Sequence, residues 1–206
     1  MEKLGWKGGS TNHNLEYIFK PAIIWSKITS SFPSFRYSPA GYLFDDASGL
    51  CAVNEENKAH NILSLLCSKV GRFYMNVINP TLNIQPGNMA AMPYINVDNP
   101  IATNAIDISR INWNFYETSW DFTQNPLIST NQPNLEKAFL TWQQQNADAV
   151  AEMKRLEEEN NKLFIDAYGL QDELTPDVPD EQITLTRADR EKDSQRLVSY
   201  ALGCMM

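Results

Sequence analysis

The segment Leu135–Tyr168 places the strongest constraint on what this chain can fold into. Its apolar residues recur every three to four positions, which is the spacing that one face of an α-helix requires. Pro133 lies near the start of the segment and Gly169 directly follows it, as is typical of helix termini. The apolar positions are Leu135, Phe139, Trp142, Ala149, Met153, Leu156, Leu163 and Ala167. At about 1.5 Å per residue, the pattern predicts one helix on the order of 50 Å long.

The N-terminal half is predicted to contain a small sheet. Ala22–Ile28 is rich in residues that favour strands, whereas Ser31–Ser38 contains Pro33, is followed by Pro39 and is expected to be a loop. Gly41–Asp45 and Leu50–Val53 resemble the two strands of a hairpin that turns at Ser48-Gly49.

The remaining segments are predicted to be mainly helical. Glu55–Val77 has a single apolar face and is predicted to form one helix, with Asn54 as its N-cap. One or two helices are expected within Asp98–Ser119. Asp172–Glu181 is an acidic linker, and Thr186–Asp189 resembles a capping box that opens a last helix.

These elements predict an α+β fold, in which a small mixed sheet-plus-helix module precedes a mostly α-helical region with one long helix. We place the module at residues 15–95 and the helical region at residues 96–206. Residues 1–14 are rich in Gly, Ser and Asn, so we expect them to be flexible.

Charge is distributed unevenly along the chain. Its net charge is −8, but residues 1–95 carry eight Lys and Arg against six Asp and Glu, a net of +2. Residues 96–206 carry nine against nineteen, a net of −10. Because phosphate contacts dominate the affinity of proteins for DNA, a net of +2 predicts weak DNA binding by this chain alone.

Composition narrows the possible compartments and cofactors. No run of apolar residues is long enough for a membrane span, and the N-terminus lacks a signal pattern, so we predict a cytoplasmic protein without a membrane segment. Cys51, Cys67 and Cys204 have no CxxC spacing and are predicted to be reduced, mostly buried thiols. His13 and His60 lack a partner at metal-ligand spacing, so neither is predicted to bind a metal or to act as a general base.

The stretch from Phe19 to Asp45 carries the side chains best suited to binding a polyanion. An apolar strand core lies among hydroxyl and cationic side chains, namely Lys20, Lys27, Thr29, Ser30, Ser31, Arg36 and Tyr37. Cations and hydroxyls bind phosphate oxygens, and Arg and Lys also read base edges. The stretch lacks the His, Cys or paired carboxylates that acid–base or nucleophilic chemistry needs. It therefore predicts a DNA-binding surface, and the alternative is an ordinary polar loop beside a strand.

Asn83 and Gln85 are further candidates for DNA binding. They lie two positions apart, on one face of the chain if it is extended. A side-chain amide can bridge the N6 and N7 atoms of adenine. The alternative, which we favour, is that these amides tie down a loop, because Gly87 and Pro93 indicate a fixed turn.

Two patterns in the acidic half also have two interpretations. The aromatic residues Trp113, Phe115, Trp120 and Phe122 are predicted to pack between domains, and the alternative is a stacking platform for single-stranded nucleic acid. The run Glu157–Glu159 is predicted to be the solvated face of a helix. Its alternative is an acidic surface that docks a basic partner.

Several segments resemble the target-recognition region of large adenine-specific DNA methyltransferases, in particular the PglX family of BREX phage-defence systems. They read FKPAIIWSKITSS from Phe19, RYSPAGYLFDDA from Arg36 and NPTLNIQPGNMAAMPYI from Asn79. IDISRINWNFYETSWDF from Ile106 and NKLFIDAYGLQDELTPDVP from Asn161 are similar to the continuation of the same proteins. The resemblance covers roughly residues 14–206.

The resemblance implies a complete enzyme that transfers a methyl group from S-adenosylmethionine to an adenine amino group of double-stranded DNA, marking host DNA within a phage-defence system. It implies that residues 15–95 form a target-recognition module. Residues 96–206 would then form a spacer that sets the distance to the catalytic domain or to other BREX subunits.

The catalytic motifs of that family are missing from this sequence. The family carries a glycine-containing cofactor loop after a strand and an Asn/Asp-Pro-Pro-aromatic loop that grips the flipped base. The nearest strings, Asn79-Pro80-Thr81 and Asn99-Pro100-Ile101, lack the second proline and the aromatic residue, and Gly8-Gly9 follows no predicted strand. We therefore interpret the chain as an internal, catalytically silent segment of a longer methyltransferase. The competing interpretation is a protein–protein interaction scaffold that uses the acidic helices.

Overall fold

The computed structural model describes residues 15–29, 33–53, 55–81 and 83–206. Residues 1–14, for which we predict flexibility, lie outside this part of the chain. The strands are β1 (Ala22–Ser26), β2 (Phe35–Ser38) and β3 (Ser48–Ala52). The helices are α1 (Glu56–Cys67), α2 (Lys69–Ile78), α3 (Pro86–Ala90), α4 (Ala102–Asn114), α5 (Pro126–Ser129), α6 (Leu135–Tyr168) and α7 (Arg190–Met205). The arrangement confirms the predicted α+β class with one long helix.

The three strands form an antiparallel sheet in the order β2-β1-β3. Successive residues of a strand point to opposite faces. Ile23 and Trp25 of β1 therefore share the inner face, where they pack with Leu63 and Leu66 of α1. The indole of Trp25 lies across Gly49 of β3, and a Cβ at position 49 would lie 2.1 Å from that ring. The absence of a side chain at Gly49 is what leaves room for the large ring at this point.

The predicted loop at Ser31–Ser38 is wrong at its end, because β2 pairs with β1 there. Pro33 and Pro39 lie just outside β2, and an edge strand tolerates prolines at such positions. The predicted hairpin is also wrong. Gly41–Asp45 forms no strand, and β3 pairs with β1 instead. The predicted turn at Ser48-Gly49 lies within β3.

One aspartate accounts for the position of the turn before β3. The carboxylate of Asp45 accepts hydrogen bonds from the backbone N–H of Ala47 at 3.1 Å and from the Ser48 hydroxyl at 3.2 Å. Asp side chains favour such local turns. The turn therefore comes two to three residues earlier than the Ser48-Gly49 signal indicates, and β3 begins at Ser48.

The predicted helix Glu55–Val77 is divided at Ser68 into α1 and α2. Ser68 is extended, its hydroxyl donates to the Leu65 carbonyl at 2.7 Å, and its oxygen accepts from the Gly71 N–H at 3.1 Å. The apolar periodicity continues across the break, so periodicity alone does not reveal it. The predicted N-cap Asn54 lies outside the described residues, and α1 begins after Glu55 without a side-chain cap.

Helix α6 has the predicted bounds. Asn134 caps its start by accepting from the Lys137 N–H at 2.9 Å, and Gly169 ends it in the left-handed conformation at φ 66°. Three separate apolar clusters lie along its length, centred on Trp142, Met153 and Phe164. Phe164 packs with Leu65 of α1, so the N-terminal module and the helical region share one cluster.

Buried side-chain amides on α6 bind the backbone of the segments beside it. Asn146 donates to the Thr186 carbonyl at 2.7 Å and accepts from the Ala188 N–H at 2.9 Å. Asn161, only 3% exposed, donates to the Pro176 carbonyl and accepts from the Lys69 N–H. A buried backbone group without a partner is costly, so these amides stabilise the chain paths on both sides of α6.

The last helix is anchored differently from the prediction. Asp189 itself is the N-cap of α7 and accepts from the N–H groups of Glu191 and Lys192, so the predicted Thr186–Asp189 capping box is wrong. The buried carboxylate of Asp193 accepts from the Trp142 indole at 3.1 Å and pairs with Arg196 at 2.8 Å. This buried network joins α7 to α6.

The three glutamates of the predicted solvated run have different surroundings. Glu159 is exposed and pairs with Arg155 at 2.7 Å. Glu158 accepts from the Val178 N–H at 3.1 Å, and burial raises the pKa of the half-buried Glu157 to about 7. The solvated-face interpretation therefore holds for one of the three residues. The cysteines are free thiols. Cys204 is exposed, so the prediction of mostly buried thiols is wrong for it, whereas the Cys67 thiol contacts the Phe35 carbonyl and burial raises its pKa to about 12.

Gly71 provides a test of the junction between α1 and α2. A Cβ at this position would lie 2.2 Å from the Leu65 carbonyl oxygen, so Gly71→Ala must displace backbone. We expect it to lower the free energy of unfolding in urea by about 1–3 kcal/mol. Gly203→Ala in α7 is the matched control, because its Cβ would meet nothing within 4 Å. If Gly71→Ala is as stable as the parent chain, this account of the junction is wrong.

Glu157 predicts a pH dependence of stability. Burial raises its pKa from 4.5 to about 7, so the folded chain holds a proton that the unfolded chain has released. The free energy of unfolding should therefore fall as the pH rises between these two values. Glu157→Gln should unfold at a higher temperature than the parent at about pH 8, and the gain should disappear near pH 4. The exposed Glu173→Gln is the control and should show no such pH-dependent gain.

Candidate nucleic-acid interface

Two segments that are far apart in sequence meet at the C-terminal end of β1. Ile28 forms an antiparallel bridge with Asn83, and the Ile84 N–H donates to the Lys27 carbonyl at 2.8 Å. The buried Trp25 indole donates to the Ile84 carbonyl at 3.0 Å. Ile84 is thus held on both sides. These contacts fix Asn83 and Gln85, two of the predicted DNA-binding residues, beside Lys27 and Thr29.

The cationic and hydroxyl side chains at this end are partly engaged. The Lys27 ammonium pairs with the Asp46 carboxylate at 2.6 Å, and this hydrogen bond lowers the pKa of Asp46. Thr29 is half-buried and has an interaction partner. Ser30 and Ser31, which we predict to bind DNA, lie outside the described residues. Asp46 therefore largely offsets the positive charge of Lys27, one of the cations on which the predicted DNA-binding surface depends.

Asn83 and Gln85 are both exposed, and their side chains bind each other. The Gln85 amide donates to the Asn83 side-chain oxygen at 2.8 Å. The Asn79 amide donates to the Asn83 carbonyl at 2.7 Å, and Asn88 accepts from the Gln85 backbone N–H at 2.8 Å. The network orders the loop before α3 and leaves these amides at the surface. Their role in DNA binding stays a prediction.

Arg36 and Tyr37 are adjacent in sequence but lie on opposite faces of the sheet. Arg36 is exposed on the outer face, in one row with Ile24 and Leu50. Tyr37 faces α1, where its hydroxyl donates to Glu56 at 3.5 Å and its ring lies edge-on to His60. Burial, and then Glu56, raise the pKa of Tyr37. Only Arg36 of this pair presents its side chain to a molecule that approaches the outer face.

Lys20 lies before β1, at the opposite end of the strand from Lys27, which corresponds to a separation of about 20 Å. Its ammonium lies 5.9 Å from the centre of the Tyr17 ring. Apart from Tyr37, which faces α1, the predicted DNA-binding residues within the described ranges occupy three places: the start of β1, the outer face at Arg36, and the end of β1. Among the described residues of this region, Arg36 is a cation without an ion-pair partner.

The aromatic residues of the helical region are divided between core and surface. Phe115 packs edge-on against Trp142, and Phe122 packs edge-on against Tyr200. Both contacts are made within residues 96–206, so they do not join the two predicted domains. Trp113 is largely exposed, and Trp120 is 95% exposed. The exposed pair lies beside Glu117 and Asp121, whose charge opposes a phosphate backbone.

His60 occupies a site that the sequence did not reveal. Its Nδ1 lies 3.4 Å from the Thr103 hydroxyl, while its buried Nε2 has no hydrogen-bond partner and lies 3.9 Å from Glu56. No cluster of three or more metal-ligating side chains occurs in the described ranges, and His13 lies outside them. No helix in these ranges combines the length and apolar character needed to cross a membrane.

One strand-to-helix connection of the described part can be compared with the glycine-containing cofactor loop of the family that the sequence resembles. The connection from β3 to α1 runs through residues 53–55, which contain no glycine, and Gly8-Gly9 lies outside the described part. Asn79 and Asn99 begin the two strings that are most similar to the family's Asn/Asp-Pro-Pro-aromatic loop, and both asparagines have structural contacts. Asn79 ends α2, and the buried Asn99 donates to Asn160 at 2.8 Å.

The Trp25–Ile84 hydrogen bond predicts how rigid this surface is. Trp25→Phe keeps an aromatic ring in the core but leaves the Ile84 carbonyl without its donor. We expect a loss of about 1–3 kcal/mol in the free energy of unfolding, because that carbonyl becomes an unpaired buried acceptor. Hydrogen exchange at the Ile84 amide should become faster, whereas exchange at amides of α7 should follow only the global loss. Unchanged protection at Ile84 would show that the bond does not fix the segment.

Comparison with known proteins identifies relatives over nearly the whole chain. No family profile matches it. It is 34% identical over 205 residues to adenine-specific methyltransferase PglX of Lacticaseibacillus casei strain Zhang, a match that covers 95% of this chain and 17% of that protein. It is 27% identical over 221 residues to adenine-specific methyltransferase BrxX of Escherichia coli O9:H4 strain HS, covering 97% and 18% respectively. The chain thus spans about a sixth of the length of these relatives. It is homologous to one segment of the PglX and BrxX adenine-specific methyltransferases.

Proposed function

We propose that this chain is the DNA sequence-recognition and spacer segment of an adenine-specific, S-adenosylmethionine-dependent DNA methyltransferase in a phage-defence system. The observation that carries the proposal is the homology of almost the whole chain to about a sixth of two adenine-specific methyltransferases. Such an enzyme must bind duplex DNA and extrude its target base. Double-stranded DNA and the catalytic domain of the same enzyme are the partners that this implies.

Residues 15–95 are the proposed recognition module. The outer face of the sheet presents Arg36, while Lys20 precedes β1 and the Lys27–Asn83 region follows it. This spacing of about 20 Å corresponds to roughly six base pairs of DNA. Arg36 is the residue best placed to read a base, because Arg can bind guanine through two hydrogen bonds.

Residues 96–206 are the proposed spacer. Helix α6 contacts both the recognition module, through Phe164 and Asn161, and the C-terminal helix, through Trp142. A helix held at both ends by buried contacts can transmit a fixed distance and angle. This supports a role in orienting the module relative to a catalytic domain or to other defence subunits.

The chemistry of methyl transfer is proposed to lie in the catalytic domain and not in these residues. Asn79 and Asn99 begin the strings most similar to a base-gripping loop, but neither is followed by the Pro-Pro-aromatic sequence. Both side chains bind neighbouring groups instead. A cofactor assay with this chain alone should therefore show no turnover.

The alternative function is a protein–protein interaction scaffold. It is favoured by the exposed Trp113 and Trp120 within a half that carries a net charge of −10. Trp residues are enriched among those that dominate binding energy at protein interfaces. Stable capture of the catalytic domain or another defence subunit, without any DNA binding at low salt, would favour this alternative.

Fluorescence anisotropy with short duplexes tests the proposal. At low salt, Arg36→Ala should weaken binding to a selected sequence by about 1–3 kcal/mol and affect scrambled sequences less, because a base contact is lost. Asp46→Asn should strengthen binding to all sequences and steepen the salt dependence by about one phosphate contact, because it releases Lys27.

Arg110→Ala is the matched control for these variants. Arg110 is an exposed arginine in the acidic half, where it pairs with Asp107 at 2.8 Å. The proposal predicts no effect of this change on DNA affinity. Absence of duplex binding by the parent chain at low salt, or equal losses for Arg36→Ala and Arg110→Ala, would contradict it.

A further inference from the structure

Exposed apolar side chains, here called the aromatic cluster, are carried by two segments that a backbone hydrogen bond joins at the start of β1. The cluster consists of Tyr17, Phe19 and Tyr42, together with Leu15 and Leu43. Phe19 is 54% exposed and Leu43 is 66% exposed. Patches of exposed apolar side chains commonly mark a binding surface.

The backbone holds this cluster in a fixed position. The Gly41 N–H donates to the Phe19 carbonyl at 3.0 Å, and this contact continues the register in which Ala22 faces Ser38. Gly41 has φ 102°, a conformation that favours glycine. The segments before β1 and after β2 are therefore joined beyond the ends of the regular strands.

Phe19 adopts a strained backbone conformation with φ 64°. For a bulky residue without a small polar side chain, this left-handed conformation is an outlier, and Asn or Gly would adopt it at lower cost. The fold gains little from the Phe19 ring in return, because more than half of this residue remains exposed. Such strain is often kept where a side chain has a binding role.

The charge beside the aromatic cluster is more favourable for binding a nucleic acid than the net charge of −10 on residues 96–206. Lys20 follows Phe19 directly, and its ammonium lies 5.9 Å from the Tyr17 ring. Glu16 is the one carboxylate of the adjacent turn at Leu15–Tyr17. The cluster also lies at one end of the strand whose outer face presents the row that contains Arg36.

We infer that Phe19 is a DNA-contacting residue that inserts its ring at a base step of the duplex, with Tyr17 and Tyr42 beside it and Lys20 on a nearby phosphate. Apolar and aromatic side chains that enter a base step unstack it locally, and the bent duplex then contacts more protein surface. The inference rests on the proposed function, since it assigns a second contact to the same DNA-binding module.

The experiment uses the whole chain and a short duplex that carries 2-aminopurine at successive positions, whose fluorescence rises when a base is unstacked. The parent should raise this fluorescence at one position near the end of its footprint. Phe19→Asn keeps the left-handed backbone and removes the ring, so it should abolish the rise and weaken binding roughly tenfold or more. Its melting temperature should equal or exceed that of the parent, because strain is relieved.

Two further variants separate stacking from general hydrophobicity. Phe19→Trp keeps an aromatic ring and should retain both the affinity and the fluorescence rise. Leu140→Ala removes an exposed apolar side chain from α6, far along the chain from the sheet, and should change neither.

The outcomes distinguish this inference from the proposed function. If the parent binds duplex DNA and Arg36→Ala weakens that binding, but Phe19→Asn binds like the parent, only the role of Phe19 is overturned. If Phe19→Asn lowers the melting temperature, the ring belongs to the fold and the inference fails. If the parent binds no duplex at low salt, the proposed function and this inference both fail.

Discussion

The hydrogen bonds that α6 makes through buried side-chain amides are the constraint on which the rest of the structure depends. Asn161 binds the backbone at Lys69 on one side and at Pro176 on the other, and Asn146 does the same for Thr186 and Ala188. Apolar packing alone is non-directional and would allow these segments to slide along the helix. The amides remove that freedom, because each shift would leave buried backbone groups without partners.

This arrangement explains how the proposed recognition surface and the proposed spacer would act together. The junction between α1 and α2, which supports the inner face of the sheet, is held against α6 by Phe164 and Asn161. The C-terminal helix is held at the other end of α6 by Trp142 and the buried Asp193. Helix α6 is therefore a stiff connection between its two ends. The N-terminal module is held against the helical region by these contacts.

The candidate DNA-binding surface depends on a second buried contact, between Trp25 and the Ile84 carbonyl. Gly49 makes room for the indole, and the indole fixes the loop that carries Asn83 and Gln85 beside the end of β1. Local charge then limits what this end can bind, because Asp46 offsets Lys27. The exposed Arg36 row and the aromatic cluster around Phe19 are left as the surfaces most available to a large partner.

The sequence by itself determined the elements whose signals are local. The 3.6-residue periodicity, Pro133 near the start and a terminal glycine were sufficient for α6, and the β-rich run was sufficient for β1. Only the tertiary structure decided the break at Ser68, the pairing of β3 with β1, and the separation of Arg36 from Tyr37. These features depend on contacts between distant residues, such as Trp25 with Gly49 and Lys69 with Asn161, and on the alternation of faces within a strand. A cluster in sequence becomes a surface only where such contacts place its side chains on the same side.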